Sequence, residues 1–119
     1  MRYIKQEEKE WDDKEAYSKK ILFNEDELKS KGNVVQVVKF PPKTKLKPHY
    51  HKQTKEIFYI LKEGGIISID NQQFRARNGD ILLCEPGEIH FVINDTDEEF
   101  KILVFKINSE ENDSYWNEK

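Results

Sequence analysis

The chain has 119 residues, with 20 Lys+Arg against 23 Asp+Glu, a net charge of −3, and hydrophobic and charged residues at 36% each. That length suits one domain with a core that needs no disulfides, and the near balance of charge excludes the basic face that nucleic acid requires. No apolar run approaches the roughly 18 residues of a membrane span, and a single cysteine, Cys84, excludes a disulfide framework or a zinc ribbon. The charged fraction exceeds the ~25% usual for globular domains, and its mixed Lys and Glu character reads as solvated surface.

Residues 1–14 are polar and acidic, unlike a signal or transit peptide, so a cytoplasmic protein is expected. Residues 11–17 read weakly as a helical turn, 19–23 as a strand, and the polar stretch 24–32 as one helical turn around Leu28. From residue 34 onward strand signals dominate. Residues 34–40 are a β-branched run interrupted by Gln36 and Lys39, and 56–61 form an apolar run ended by Gly64-Gly65. Residues 66–69 and 73–77 flank Asp70-Asn71-Gln72 as a hairpin. Turns at Asn78-Gly79-Asp80 and Pro86-Gly87 bound a short strand over 81–84. Residues 89–93 and 100–107 follow, separated by the acidic loop 94–99. About eight or nine short strands with frequent turns predict an all-β fold, a sandwich or barrel. The expected organisation is a single domain: an N-terminal segment 1–33 packing on the barrel, a barrel over 34–107, and a polar, frayed tail over 108–119.

In the runs 34–40, 56–61 and 100–107 both alternating faces are largely apolar, and a barrel interior covers only one. The N-terminal segment, an overhang of the second sheet, or another subunit must cover the other. A homodimer is the expectation drawn from this.

All three histidines fall in two short segments. His49 and His51, two apart on a strand, share a face, and a turn over 52–55 lets Glu56 begin a neighbouring strand beside them. His90 follows the tight turn at Pro86-Gly87. Imidazoles plus one carboxylate suit a divalent transition metal with coordination positions left open for water or substrate. Taken alone, the residues leave open both a metal site and ordinary hydrogen-bonded or surface histidines.

These segments resemble the paired signature of the cupin superfamily. In the first motif His49, His51 and Glu56 match, while Lys43 and Glu63 stand where the family has glycine and Gly64 comes one residue late. In the second, Gly79, Gly87, His90 and Asn94 are in register, while Glu85 holds the proline position and Pro86 follows it. The resemblance covers residues 34–107, and its departures lie at turns. It implies a double-sheet jelly roll, the cupin barrel, with a divalent metal (Fe, Mn, Ni or Zn) held by His49, His51, Glu56 and His90.

Gln36, Phe58, Ile60 and Val92 share strand faces with this set and are the candidate pocket lining. Phe74 is the better core candidate on its strand, which turns Arg75 and Arg77 to solvent; Cys84 reads as a small buried apolar residue. Tyr50 alternates away from the His pair and Lys47 sits at the rim, so no general acid or base is visible: Tyr and Lys candidates point outward or lie in loops. The expected function is a metal-dependent enzyme acting on a small polar molecule, as oxygenase, isomerase or lyase. The alternative is a non-catalytic metal or small-molecule binding or sensing module.

Overall fold

A computed structural model describes residues 1–116. After a 3₁₀ turn at Gln6–Glu8, the strands in chain order are β1 (Asp12–Asp13), β2 (Ser18–Phe23), β3 (Val34–Phe40), β4 (Thr44–Lys45), β5 (His49–Tyr50) and β6 (Lys55–Lys62). They continue as β7 (Ile66–Ile69), β8 (Gln72–Arg75), β9 (Ile81–Cys84), β10 (His90–Asn94), β11 (Phe100–Ile107) and β12 (Tyr115–Trp116). The one α-helical turn among the described residues, α1 (Glu25–Leu28), sits between β2 and β3 and is capped by a capping box between Asn24 and Glu27. One antiparallel sheet runs β1-β2-β3-β11-β6-β9. The other runs β12-β5-β10-β7-β8, with β4 also on β10. This is the expected double-sheet jelly roll.

Strict alternation builds the interior. Gln36, Val38 and Phe40 of β3 face inward beside Val104, Ile102 and Phe100 of β11, in register, and Phe58 and Ile60 of β6 complete two of these rows. The hairpin between β7 and β8 has a two-residue loop, Asp70-Asn71, with φ of 44° and 71° at the two positions, a type I′ geometry that Asp and Asn tolerate. Asn94, 1% exposed, donates from its amide to the carbonyls of Phe40, Pro41 and Glu98, tying the end of β10 to two loops.

Three expectations need correction. Residues 11–17 are not helical: Asp12–Asp13 form β1, which pairs antiparallel with β2 across a turn at 14–17 closed by the Lys14 amide on the Tyr17 carbonyl, because the polar residues offer no apolar stripe for a helix to bury. Phe74 is 40% exposed, since β8 is the edge of its sheet, while Ala76 just after it is buried. The tail is not frayed over its described part: β12 pairs with β5, Tyr115 opposite Tyr50 and Trp116 opposite His49. Residues 117–119 of that tail lie outside the described residues.

The outer face of the sheet β1-β2-β3-β11-β6-β9 is covered at one side. There the N-terminal segment lays Trp11 against the ammonium groups of Lys20 and Lys39, 4.4 and 4.1 Å from its ring, and Gln6 accepts from Lys20. At the other side Tyr59 and Leu61 of β6 and Ile81 and Leu83 of β9 remain 42–66% exposed.

Candidate metal centre

The site lies between the two sheets. His49 and His90 are partners on adjacent strands β5 and β10, His51 follows β5, and Glu56 enters from β6 of the facing sheet. The turn Glu85–Glu88 delivers His90. Pro86 and Gly87 occupy its central positions, Gly87 at φ +86°, and the amide of Glu88 donates to the carbonyl of Glu85. This is a type II turn, which requires a residue such as glycine at that position. The Gly87 amide donates to the His51 carbonyl at 2.7 Å, which locks the two histidine-bearing segments together.

The three rings converge in one cluster, tilted or edge-on to one another, with centroids 4.2 Å apart for His49 and His90 and 5.2 Å for the other two pairs. Each imidazole has Nδ1 against a backbone carbonyl: His49 on Lys47 at 3.1 Å, His51 on Asp113 at 2.7 Å, His90 on Glu88 at 3.1 Å. With Nδ1–H donating to those oxygens, Nε2 is left free in each ring, the arrangement by which metal-binding histidines are oriented. One nitrogen from each ring lies within 4.8 Å of the others, close enough to hold one ion.

Glu56 Oε1 stands 2.8 Å from His51 Nε2 and 3.2 Å from His90 Nε2. Glu56 Oε1 and His90 Nε2 are fully buried without a properly oriented hydrogen-bond partner among the described residues. Buried polar atoms rarely stay unpartnered. An ion between them would satisfy both, so the residues present fit a divalent metal.

The electrostatics differ from ring to ring. Burial pushes the pKa of His49 down to about 4, keeping that ring neutral as a ligand must be. Burial also opposes charge on His51, but the adjoining Glu56 carboxylate outweighs it and holds the pKa above the ordinary value. Burial alone would raise Glu56; its contacts with His51 and His90 win and hold it well below the usual carboxylate range. Cys84, 2% exposed and 3.3 Å from His90 Nδ1, has its thiol pushed up to about 12, by burial first and the Glu56 charge second. It is a packing residue, not a thiolate ligand.

The chamber over these groups encloses about 120 Å³. Gln36, Phe58 and Val92 line it as expected, whereas Ile60, 1% exposed and one row deeper, belongs to the core beneath and not to the wall. Nine further lining residues lie outside the sequence expectation, among them Tyr17, Lys106, Ser114 and Trp116. The view that no Tyr or Lys points inward is therefore corrected. Lys106 shares the inward face of β11 with Phe100, Ile102 and Val104, a signal that alternation alone carried. Tyr17, Ser114 and Trp116 lie in segments without periodicity. A larger cleft of about 960 Å³, with Lys47 and Pro48 on its wall, shares Tyr17, Leu46 and Trp116 with the chamber. Arg75 and Arg77 are exposed, and Arg75 pairs with Asp95.

The model of the cupin domain family matches residues 36–106. The chain therefore belongs to the cupin family. An uncharacterized protein of Methanocaldococcus jannaschii is 34% identical over 55 residues, 46% of this chain and 44% of that protein, so the chain spans less than half the length of this relative. An oxalate-binding protein of Thermotoga maritima is 27% identical over 85 residues, 70% of each chain. Among solved structures, the polyketide cyclase RemF from Streptomyces resistomycificus superposes with a TM-score of 0.83 at 15% identity, covering 98% of this chain and 84% of that one. At that identity the likeness is one of fold. No helix among the described residues is long and apolar enough to cross a membrane.

Proposed function

We propose that this cupin is a metal-dependent enzyme acting on a small polar molecule, with a divalent ion (Fe, Mn, Ni or Zn) held by His49, His51, Glu56 and His90. The observation that carries the reading is the convergence of three carbonyl-oriented imidazoles on a buried carboxylate whose Oε1 has no other partner. A bound ion supplies Lewis acidity to an oxygen-bearing ligand. The chain supplies the rest. Phe58 and Val92 keep the chamber dry, Gln36 offers an amide, and Lys106 brings a cation suited to a carboxylate. Tyr17, its phenol pKa raised chiefly by burial, is a proton donor at the wall. A cavity of about 150 Å³ admits benzene, so 120 Å³ restricts the buried part of the ligand to a few non-hydrogen atoms.

A non-catalytic binding module is the second reading, favoured by the name of the Thermotoga relative, which makes oxalate the first ligand to try. Natively purified protein should carry about one transition metal per chain by elemental analysis. Turnover of small hydroxy, keto or dicarboxylic acids should vanish on chelation and return with a single metal. Ligand-dependent thermal stabilisation without turnover would favour the binding module, and protein that takes up no metal even on reconstitution would sink both.

The functional unit proposed is a homodimer in the cytoplasm, for which a buried, unpaired Cys84 is suited. The open strip of Tyr59, Leu61, Ile81 and Leu83 runs to the free edge strand β9, so a second copy can bury it by twofold contact. Light scattering at micromolar concentration should give the mass of two chains, and Leu83→Lys should give that of one. A clean monomer for the unaltered protein would remove the proposal.

A further inference from the structure

Two of the three imidazoles are oriented locally, each by a carbonyl two residues away, Lys47 for His49 and Glu88 for His90. His51 is different. Its carbonyl partner belongs to Asp113, 62 residues further along the chain, and Ser114 Oγ stands 3.4 Å from the same nitrogen. Asp113 is only 7% exposed, and its carboxylate is committed entirely to the turn after His51. Oδ1 accepts from the Lys52 amide at 2.8 Å; Oδ2 accepts from the Gln53 amide, the Thr54 amide and Thr54 Oγ1, each at 2.9 Å. That turn joins His51 to the strand bearing Glu56. One residue of the tail therefore holds both the ring and the backbone that set the spacing of His51 and Glu56.

The path to Asp113 is itself anchored. The Ser109 amide donates to the Gly32 carbonyl at 2.7 Å, and Asn112 adopts φ +60°, a left-handed conformation that asparagine accepts more readily than most residues. Beyond Asp113, β12 pairs with β5 and sets the Trp116 ring 5.1 Å from that of His49.

We propose that Asp113 is a positioning residue of the metal centre: its carboxylate clamps the turn 52–54 so that its carbonyl fixes His51, making the C-terminal segment part of the ligand-orienting shell. The affinity readout below rests on the metal reading given above; the orientation readout does not. Nearby groups that orient a metal ligand typically change metal affinity by about 10–100-fold.

The test uses the full chain carrying Asp113→Ala, with zinc affinity measured by chelator competition and the His51 ring N–H followed by ¹H–¹⁵N NMR in the metal-free protein. Expected are zinc binding weaker by about 10–100-fold and loss of the exchange-protected His51 Nδ1–H, with the His49 and His90 ring signals retained. If Asp113→Ala fails to fold, Thr54→Val, which removes one of the four bonds to the carboxylate, should weaken zinc binding several-fold and speed exchange of the same proton. Zinc affinity within twofold of the parent together with a protected His51 Nδ1–H would overturn the proposal, whatever the change in Tm. A parent protein that binds no zinc would instead overturn the metal reading, while the NMR result still decides the role of Asp113.

Discussion

Replacing His49 and His51 together with alanine should strip the protein of stoichiometric metal while leaving the barrel folded. Structural zinc sites contribute about 10–16 kcal/mol, or roughly 3 kcal/mol for each of four ligands, so losing two should weaken binding by about 10⁴-fold. The barrel should survive because neither ring belongs to the apolar rows of β3, β11 and β6, and β5 is only two residues long. Far-UV circular dichroism and elemental analysis on the same sample check both halves, and full metal content would remove these residues from the site. The pH dependence of the parent follows from the same geometry. A metal takes the neutral ring. His51, whose pKa is raised, must release a proton to bind, so affinity should climb as pH rises through that value. His49, neutral above about pH 4, and Glu56, ionised above its depressed pKa, add no further proton release at neutral pH.

Phe100→Ala should destabilise the fold by about 3–5 kcal/mol, the cost typical of deleting a fully buried aromatic ring. Phe100 is 0% exposed and stacks on Phe40 with centroids 5.8 Å apart, at the opposite end of the inner rows from the histidines. The neighbourhood cannot close over the gap easily, because Gly65 already packs directly against the ring face. For the same reason Gly65→Ala, whose Cβ would collide with that ring, should cost about 1–3 kcal/mol by overpacking. Urea unfolding reads both, and a loss below about 1 kcal/mol for Phe100→Ala would contradict the packing described here.

The barrel and the grouping of histidines were legible in the chain because both obey the period-two rule. Alternation in residues 34–40 put Gln36, Val38 and Phe40 on one face, but with both faces apolar only the closed barrel showed that this face turns inward; the His49–His51 spacing put two rings on one face. The same rule pointed Lys106 inward, and the expectation of no inward lysine missed it. Phe74 misled for a different reason: alternation tells which face a residue occupies, not that its strand ends up at the exposed edge of the sheet.

What the sequence by itself determined was the longer strands, though not the short β1, β4 and β12, the turns at Asp70-Asn71 and Pro86-Gly87, and, through the cupin resemblance, His49, His51, Glu56 and His90 as the candidate set, since each depends on local stereochemistry and short spacings. Tertiary structure alone decided which carbonyl faces each ring, that Ile60 lies beneath the chamber while Tyr17 and Trp116 line it, and that a tail read as frayed carries Asp113 into the site. Those outcomes hang on contacts such as Asp113 with residues 51–54, across some 60 positions. A polar segment of that kind carries no periodicity, so only the closed barrel, with its unsatisfied amides at the turn after His51, gives Asp113 a place to bind.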